Sequence, residues 1–123
     1  MIVRTLDGVT GSAHDVTGPG WQSRRLLTRA DGMGYTMTDT IIRAGAEMEL
    51  EYKNHLEACY CLSGAGEIRD LASGAVHPIG PGTIYALDRH DRHVLRAREE
   101  MRLICCFTPA LSGSETHGKD GGY

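Results

Sequence analysis

The stretch that decides the fold is residues 52–66, which read Tyr-Lys-Asn-His-Leu-Glu-Ala-Cys-Tyr-Cys-Leu-Ser-Gly-Ala-Gly. The segment is typical of a β-strand that ends in a glycine turn, and alternate side chains of a strand share one face. One face would carry His55, Glu57, Cys59 and Cys61, and the other Leu56, Ala58, Tyr60 and Leu62. A glutamate within such an apolar run must be paired, hydrogen-bonded or bound to a cation. The stretch therefore predicts both a strand and a functional site.

The composition is that of one ordinary globular domain. The chain has 123 residues and a net charge of −3, which is enough for one core and too little for two domains. The weakly acidic charge gives no reason to expect a nucleic-acid partner, and no run approaches the roughly 18–20 apolar residues of a membrane helix. The first residues also lack the apolar core of a signal peptide. We therefore expect a cytoplasmic protein without nucleic-acid or membrane partners.

Short alternating runs separated by glycine turns predict an all-β sandwich or small barrel. The chain has 16 glycines and no long stretch with helical periodicity. Besides the opening stretch, strands are predicted over residues 2–6, 35–44, 47–53, 67–71, 75–79, 83–87, 94–97 and 101–108. Residues 7–20 read as a loop. Residues 21–29 are either a strand or a helical turn, and Trp21 and Arg25 share a face in both cases.

Several of these runs carry polar groups on a face that is otherwise apolar. Tyr52 lies on the apolar face of its strand, so its hydroxyl needs a partner inside the protein. A row of threonines, which includes Thr40, is either ordinary β surface or a set of hydroxyls for a small polar ligand. Cys105 shares a face with Phe107, and the four cysteines read as buried, reduced thiols rather than as a zinc site.

Two short patterns resemble the motifs of the cupin family of β-barrels. Glu57 precedes Gly64 with six residues between them, as a glutamate ligand precedes a turn glycine in the first cupin motif. The two histidines that usually stand before that glutamate are missing, because residues 50–53 read Leu-Glu-Tyr-Lys. A Pro-Gly turn and a short strand then precede His93, as in the second motif, with His90 as its competitor. The resemblance implies a metal site without the usual three histidines.

Matching segments along the chain make a closer resemblance specific. They are Met1-Ile-Val-Arg, Trp21-Gln-Ser-Arg-Arg-Leu-Leu, Asp31-Gly-Met-Gly, Lys53-Asn-His-Leu-Glu-Ala-Cys-Tyr-Cys, His77-Pro-Ile-Gly-Pro-Gly-Thr-Ile-Tyr-Ala-Leu-Asp, His90-Asp-Arg-His, Met101-Arg-Leu and Ser112-Gly-Ser-Glu-Thr-His. Each segment alone is weak, but the ordered set is strong. The chain resembles the ectoine synthases from its first residues almost to its last. Cys59 and Thr38 depart from the residues that are usual there.

The resemblance implies a single-domain, jelly-roll-like cupin β-barrel over residues 1–110, with short helical turns and a flexible tail over residues 111–123. It also implies a head-to-tail homodimer that depends on iron(II), although oxygen and nitrogen donors suit zinc or another divalent ion as well. The family's metal ligands match Glu57, Tyr85 and His93. The implied reaction is the cyclisation of N-γ-acetyl-L-2,4-diaminobutyrate to the compatible solute ectoine, with loss of water, which makes the enzyme a hydro-lyase.

The chemistry of that reaction suggests roles for the remaining site residues. A bound cation polarises the amide carbonyl, and a base near the α-amine, either Glu115 or Tyr52 with His55, removes its proton. The Arg25 guanidinium matches the substrate carboxylate. The other residues implied to contact the substrate are Trp21, Thr40, Tyr52, Leu87, Cys105 and Phe107.

The tail carries two ionisable groups, Glu115 and His117, on a segment rich in glycine and serine. Composition alone predicts a frayed terminus. With the resemblance, the same segment predicts a lid that orders over the substrate, excludes water and brings a proton-transfer group to the active site.

Two other functions fit these residues less completely. A non-catalytic cupin that binds a small molecule would keep Trp21, Arg25 and Phe107 without needing a metal. Another metal-dependent cupin enzyme, such as an oxygenase or isomerase, would share the metal ligands. The metal content of the purified protein distinguishes a metal-free binding protein from a metal-dependent enzyme. Oxygen uptake with candidate substrates would reveal an oxygenase.

Overall fold

Within the described residues, 1–118 and 121–123 of the computed structural model, ten β-strands form two antiparallel sheets around one core. The strands are β1 (Asp15–Gly18), β2 (Trp21–Leu27), β3 (Thr36–Ile42), β4 (Glu47–Leu50), β5 (Leu56–Ser63), β6 (Gly66–Asp70), β7 (Val76–Ile79), β8 (Ile84–Leu87), β9 (His93–Ala97) and β10 (Met101–Thr108). The helical elements are a short helix, α1 (Leu6–Val9), and a 3-10 turn at Arg29–Asp31. The larger sheet has the order β1-β2-β3-β10-β5-β8, and the smaller has the order β4-β9-β6-β7. The predicted all-β class with short helical turns is confirmed. In the described part of the chain, no helix has the length and apolar character needed to cross a membrane.

Strand β5 shows the predicted alternation. Glu57, Cys59 and Cys61 are buried, whereas Tyr60 and Leu62 are exposed. The strand lies between β10 and β8, so its inner face belongs to the centre of the larger sheet and packs on the common core. A period of two residues is the natural repeat of a strand with one buried face. The strand predicted for the stretch that decides the fold is therefore confirmed.

The turn after β5 carries the chain from the larger sheet to the smaller one, and Gly64 makes this turn. Its φ is +90°, a backbone conformation that residues with a side chain rarely adopt. A Cβ at this position would also collide with the carbonyl oxygen of Glu100. The turn therefore requires glycine for two independent reasons.

The beginning of the chain differs from the prediction. Residues 2–6, expected to form an edge strand, pair with no other strand among the described residues. Thr5 instead caps α1, because its side-chain oxygen accepts a hydrogen bond of 3.1 Å from the N–H of Gly8. The strand prediction was wrong for residues 2–6 because an alternating pattern forms a strand only where a partner is available.

Two more differences concern the segment that follows. The predicted loop over residues 7–20 contains β1, which pairs with β2 along its whole length. Residues 21–29, for which the sequence left two alternatives, form β2 followed by the 3-10 turn. Trp21 and Arg25 both point inward and are buried.

A row of inward-facing side chains crosses the larger sheet from β2 to β8. The strand register aligns Arg25, Thr38, Cys105, Cys59 and Tyr85. The first four are buried and the last is half-buried. Because interior polar groups need partners, this row marks the part of the core where a site can be built.

The chain beyond β10 turns back across one end of the barrel. Leu111 is fully buried; its N–H donates to the side-chain oxygen of Thr36 at 2.7 Å, and its carbonyl accepts from the N–H of Arg29 at 2.7 Å. Of the predicted tail, residues 111–123, positions 119–120 lie outside the described residues. Gly113, Glu115, His117 and Tyr123 of the tail form hydrogen bonds with the barrel.

Candidate active site

A narrow cavity lies inside the barrel beside this polar row. Its volume is about 40 Å³, which is room for only a few water molecules. The predicted site residues that line it are Trp21, Thr40, Tyr52, Glu57, Tyr85, Cys105, Phe107 and His117. The predicted residues that do not line it are Arg25, His55, Leu87, His93 and Glu115.

The three predicted metal ligands come from both sheets. Glu57 and Tyr85 lie on neighbouring strands of the larger sheet, and His93 begins β9 in the smaller one. The Nδ1–H of His93 donates to the carbonyl oxygen of Asp91 at 2.8 Å. Burial lowers the pKa of His93, so the ring is neutral and its Nε2 carries a lone pair. That Nε2 is buried with no hydrogen-bond partner among the described residues, as expected for a ligand atom.

The competing histidine, His90, is placed differently. Its side chain is exposed, and its Nδ1 donates to the carbonyl oxygens of Tyr52 at 2.8 Å and His55 at 3.1 Å. It has a φ of +55° and holds the loop before β9 in place. The geometry therefore favours His93 over His90 as a ligand.

The electrostatics of the site fit a divalent cation. Burial raises the pKa of Glu57 to about 8, with a weaker lowering by the Cys59 thiol. Burial also raises the pKa of Tyr85 well above its ordinary value. No ion pair among the described residues neutralises Glu57, and a cation would stabilise the ionised form of each oxygen ligand. A carboxylate, a phenol and an imidazole also form a donor set suited to borderline divalent metals.

An aromatic cluster forms another wall of the cavity. The hydroxyl of Tyr52 and the Nε2 of His117 are 2.9 Å apart. Burial, with a contribution from Arg25, lowers the pKa of His117 to about 4, so this imidazole is neutral near pH 7. The ring of Trp21 lies 4.7 Å from that of His117, and the ring of Phe107 lies 5.3 Å from that of Tyr52. The barrel and the tail therefore meet at the hydrogen bond between Tyr52 and His117.

Arg25 binds the tail in this structure. Its guanidinium donates to the carbonyl oxygens of Gly113 at 3.1 Å and Glu115 at 2.7 Å, and to the hydroxyl of Tyr123 at 2.9 Å. Its Nε–H donates to the side chain of Ser23 at 3.0 Å. These bonds occupy four of the five N–H groups of an arginine, which leaves too few for a bidentate grip on a carboxylate while the tail is docked.

The Glu115 carboxylate folds back into the tail. It accepts hydrogen bonds from the N–H groups of Ser112 at 2.7 Å and Gly113 at 2.8 Å, and from the Ser112 hydroxyl at 2.7 Å. Burial alone would raise the pKa of Glu115, but these bonds outweigh it and lower the pKa to about 2. The Glu115 carboxylate is therefore engaged in stabilising a turn of the tail.

The last two predicted residues lie at the edge of the site. Burial lowers the pKa of His55, while the charge of Glu115 raises it. The ring of His55 lies 6.3 Å from that of Phe107. Leu87 is buried and lies beside Glu57 in the strand register, behind the cavity wall. Both residues can position cavity residues without touching a ligand in the cavity.

Tyr123 is a site residue that sequence reasoning missed. Its side chain lines the cavity, and its ring lies 5.0 Å from that of Tyr52 and 5.1 Å from that of His117. Burial raises its pKa to about 12, although the nearby Arg25 opposes the shift. The only sequence signal is that an aromatic side chain ends a tail rich in glycine, and a composition-based reading treats such a tail as solvated.

The comparisons with known proteins agree with this arrangement. The chain matches the family model for ectoine synthase over residues 1–123. The L-ectoine synthase of Desulfosudis oleivorans is 57% identical over this whole chain and 96% of its own length, and that of Halalkalibacterium halodurans is 50% identical over this whole chain and 95% of its own length. The solved ectoine synthase from P. lautus has a TM-score of 0.92 at 48% identity, over 98% of this chain and 87% of that one. An RmlC-like cupin from Shewanella frigidimarina, 18% identical over 78% of this chain and 82% of that one, has a TM-score of 0.65, which agrees with the predicted cupin fold. The chain therefore has the cupin fold and belongs to the ectoine synthase family.

Proposed function

We propose that this protein is a hydro-lyase that closes N-γ-acetyl-L-2,4-diaminobutyrate into ectoine with loss of water. The whole-length match to ectoine synthases carries the proposal. The geometry agrees, because the interior cavity brings together a buried carboxylate, phenol side chains and a neutral imidazole. Cyclisation needs a folded-back substrate and little water, and a narrow barrel interior supplies both.

The proposed cofactor is iron(II), which Glu57, Tyr85 and His93 would hold. When bound, the ion supplies Lewis acidity toward an amide carbonyl. The support is the unpartnered Nε2 of His93 and the buried carboxyl group of Glu57, which has no ion-pair partner among the described residues. The same donors also suit zinc.

The chain's own proton-transfer groups are Tyr52 and His117. Both line the cavity, and the neutral His117 can accept the proton of the substrate α-amine directly or through the Tyr52 hydroxyl. Glu115 is engaged in its own turn, and His55 lies off the cavity. We therefore assign proton removal to the pair of Tyr52 and His117, and a supporting role to Glu115 and His55.

The proposed substrate contacts follow from the lining. Trp21, Phe107 and Tyr123 exclude water, while Thr40 and Cys105 offer a hydroxyl and a thiol to polar parts of the substrate. Leu87 would act from behind Glu57. Arg25 has two proposed roles: it binds the substrate carboxylate when the tail is away, and it binds the tail carbonyls when the tail is docked.

The tail is proposed to act as a lid. A cavity of about 40 Å³ is too small for the substrate, so the elements that line it must move for the substrate to enter. Truncation after Ser112 tests this role and keeps the buried anchor Leu111. We expect a folded protein that retains metal but loses nearly all cyclisation. A truncated protein that turns over at the full-length rate would exclude the lid.

The decisive experiment incubates the full chain with iron(II) and N-γ-acetyl-L-2,4-diaminobutyrate under anaerobic conditions and follows ectoine by mass. We expect a product lighter by one water. Glu57→Ala should lose both metal and activity, whereas Glu49→Ala, which removes an exposed carboxylate paired with Arg92, should keep both. If the metal-loaded protein binds the substrate without converting it, the function is that of a non-catalytic cupin.

A further inference from the structure

Two cysteines face each other beside Glu57. Cys59 on β5 and Cys105 on β10 are direct cross-strand partners, and their sulfur atoms are 3.2 Å apart. Both are free thiols with 1% and 3% of their surface exposed. One carboxylate oxygen of Glu57 and the two sulfurs all lie within 4.8 Å of one another.

This spacing suits a metal with thiolate ligands. In a tetrahedral site with metal–sulfur bonds of about 2.3 Å, neighbouring ligand atoms are roughly 3.8 Å apart. The two sulfurs, 3.2 Å apart, are closer than that value, and the Glu57 oxygen lies within 4.8 Å of both, so the three atoms are near enough for small side-chain movements to bring them onto one ion. Two thiolates and a carboxylate prefer Zn²⁺ and other thiophilic cations to hard cations.

The remaining two cysteines, Cys61 and Cys106, are placed differently from this pair. The Cys61 sulfur donates to the carbonyl oxygen of Ser63 at 3.3 Å. Cys106 points to the opposite face of β10 from Cys105. Neither belongs to the group of potential ligands that meet at Glu57 among the described residues.

We propose that Glu57, Cys59 and Cys105 form a binding site for a thiophilic divalent cation such as Zn²⁺. The site shares Glu57 with the ligand set Glu57, Tyr85 and His93. The surroundings suit an ion at this position, because the Glu57 carboxyl group is buried without an ion-pair partner among the described residues and a bound cation would stabilise its ionised form. The thiols lose their protons to solvent when the cation binds.

The shared carboxylate has a consequence for metal selection. Zn²⁺ binds nitrogen, oxygen and sulfur ligands more tightly than Fe²⁺ does, and thiolates increase that preference. The thiol pair should therefore let zinc compete with iron for Glu57. This competition rests on the proposed function, whereas the thiolate site does not.

The test is X-ray absorption at the zinc edge on metal-free, phosphine-reduced full-length protein loaded with one equivalent of Zn²⁺. We expect zinc–sulfur scattering near 2.3 Å. Only nitrogen and oxygen scattering, or no bound zinc, would overturn the proposal. Because this measurement uses the unmodified chain, it does not depend on the folding of a variant.

Cobalt(II) gives a second, spectroscopic readout. The unmodified protein and the matched control Cys106→Ala should show an intense near-ultraviolet sulfur-to-cobalt charge-transfer band. Cys59→Val should lose at least half of that intensity, with circular dichroism as the check that it folds. An unchanged band in folded Cys59→Val would remove Cys59 from the site.

Competition for one equivalent of protein by equal Fe²⁺ and Zn²⁺ tests the consequence. Cys59→Val should shift the bound iron-to-zinc ratio at least tenfold toward iron. If zinc–sulfur scattering is present but no ectoine forms under any metal, the thiolate site stands and the proposed function fails. If ectoine forms but zinc binds without sulfur ligands, the proposed function stands and the thiolate site fails.

Discussion

Arg25 is the residue on which the position of the tail depends. Only 1% of its surface is exposed, so its charge is removed from water. Four neutral oxygens, two of them tail carbonyls, take the place of water around the guanidinium. A buried charge is tolerated only with such hydrogen bonds. The tail and Arg25 therefore stabilise each other, and a change in either one is expected to affect the other.

Substitution of Tyr123 tests that coupling. Tyr123→Phe keeps the ring and removes one hydrogen bond to Arg25, so we expect KM to rise roughly three- to tenfold with kcat little changed, as about 1 kcal/mol predicts. Tyr123→Ala also removes the cavity wall and should lower kcat/KM by more than tenfold. Steady-state kinetics with Tyr35→Phe, which changes an exposed residue just before β3, provides the control. Unchanged kinetics in Tyr123→Ala would remove this residue from the site.

At the scale of elements, we expect the docking of the tail on the barrel to depend on the protonation of His117 and Glu115. Docking holds the pKa of His117 at about 4 because of burial and, to a smaller extent, the charge of Arg25. An undocked His117 has an ordinary pKa near 6.5, so the docked form binds fewer protons. Docking is therefore weakened as the pH falls from about 6.5 toward 4. The pKa of Glu115 is lowered to about 2 in the docked tail, so its protonation weakens docking further as the pH falls below 4.5.

Trp21 reports this change because it is the single tryptophan of the chain and lies 4.7 Å from the His117 ring. We expect its fluorescence to change below about pH 5, together with faster amide exchange in residues 111–118. His117→Gln should abolish the step near pH 4–5 and leave any step caused by Glu115. A Trp21 signal that is flat from pH 7 to 3.5 would show that the tail does not undock in this range.

The turn after β5 makes a second prediction at this scale. Gly64→Ala forces a side chain into a positive φ and against the carbonyl of Glu100, and should lower the free energy of unfolding by about 3 kcal/mol or more. Gly82→Ala is the matched control, because its φ is +86° but a Cβ there meets nothing within 4 Å. Gly82→Ala should lower the free energy of unfolding by only about 1–2 kcal/mol. Urea unfolding of both variants gives the comparison, and equal losses would mean that φ alone matters.

At the scale of the whole molecule, the sheet edges that pair with no strand of the described chain offer surfaces for a second copy. The edge strand β8 exposes Ile84, and its cross-strand neighbour Tyr60 is exposed as well. Residues 1–3 are also exposed and pair with no strand in the described chain. Unpaired edges with apolar side chains favour pairing with another chain. We therefore propose that the predicted homodimer forms through the β8 edge.

Size-exclusion chromatography with light scattering checks this interface. The unmodified protein should elute as a dimer, and Ile84→Lys should be mainly monomeric because it places a charge on the covered edge. Val76→Lys changes an exposed residue on the edge strand β7 of the other sheet and should remain dimeric. A monomer at micromolar concentration for the unmodified protein would contradict the homodimer, and a dimeric Ile84→Lys would place the interface elsewhere.

The sequence alone determined the features that depend on local periodicity. The alternation in residues 52–66 separated the two faces of β5 and grouped Glu57 with Cys59 and Cys61, because the side chains of a strand alternate every two residues. The glycine after the strand identified its end, since the turn needs a positive φ there. The ordered motifs along the chain identified the family.

Only the tertiary structure decided which distant residues meet. The hydrogen bond from Arg25 to Tyr123 joins positions 98 residues apart, and that between Tyr52 and His117 joins positions 65 apart. The composition of the tail predicted a frayed terminus, because its glycines and serines say nothing about the buried cation that binds its carbonyls. In the same way, residues 2–6 alternate like a strand but have no partner strand in the described chain. Periodicity is a property of a segment, whereas pairing and docking depend on what the rest of the chain brings next to it.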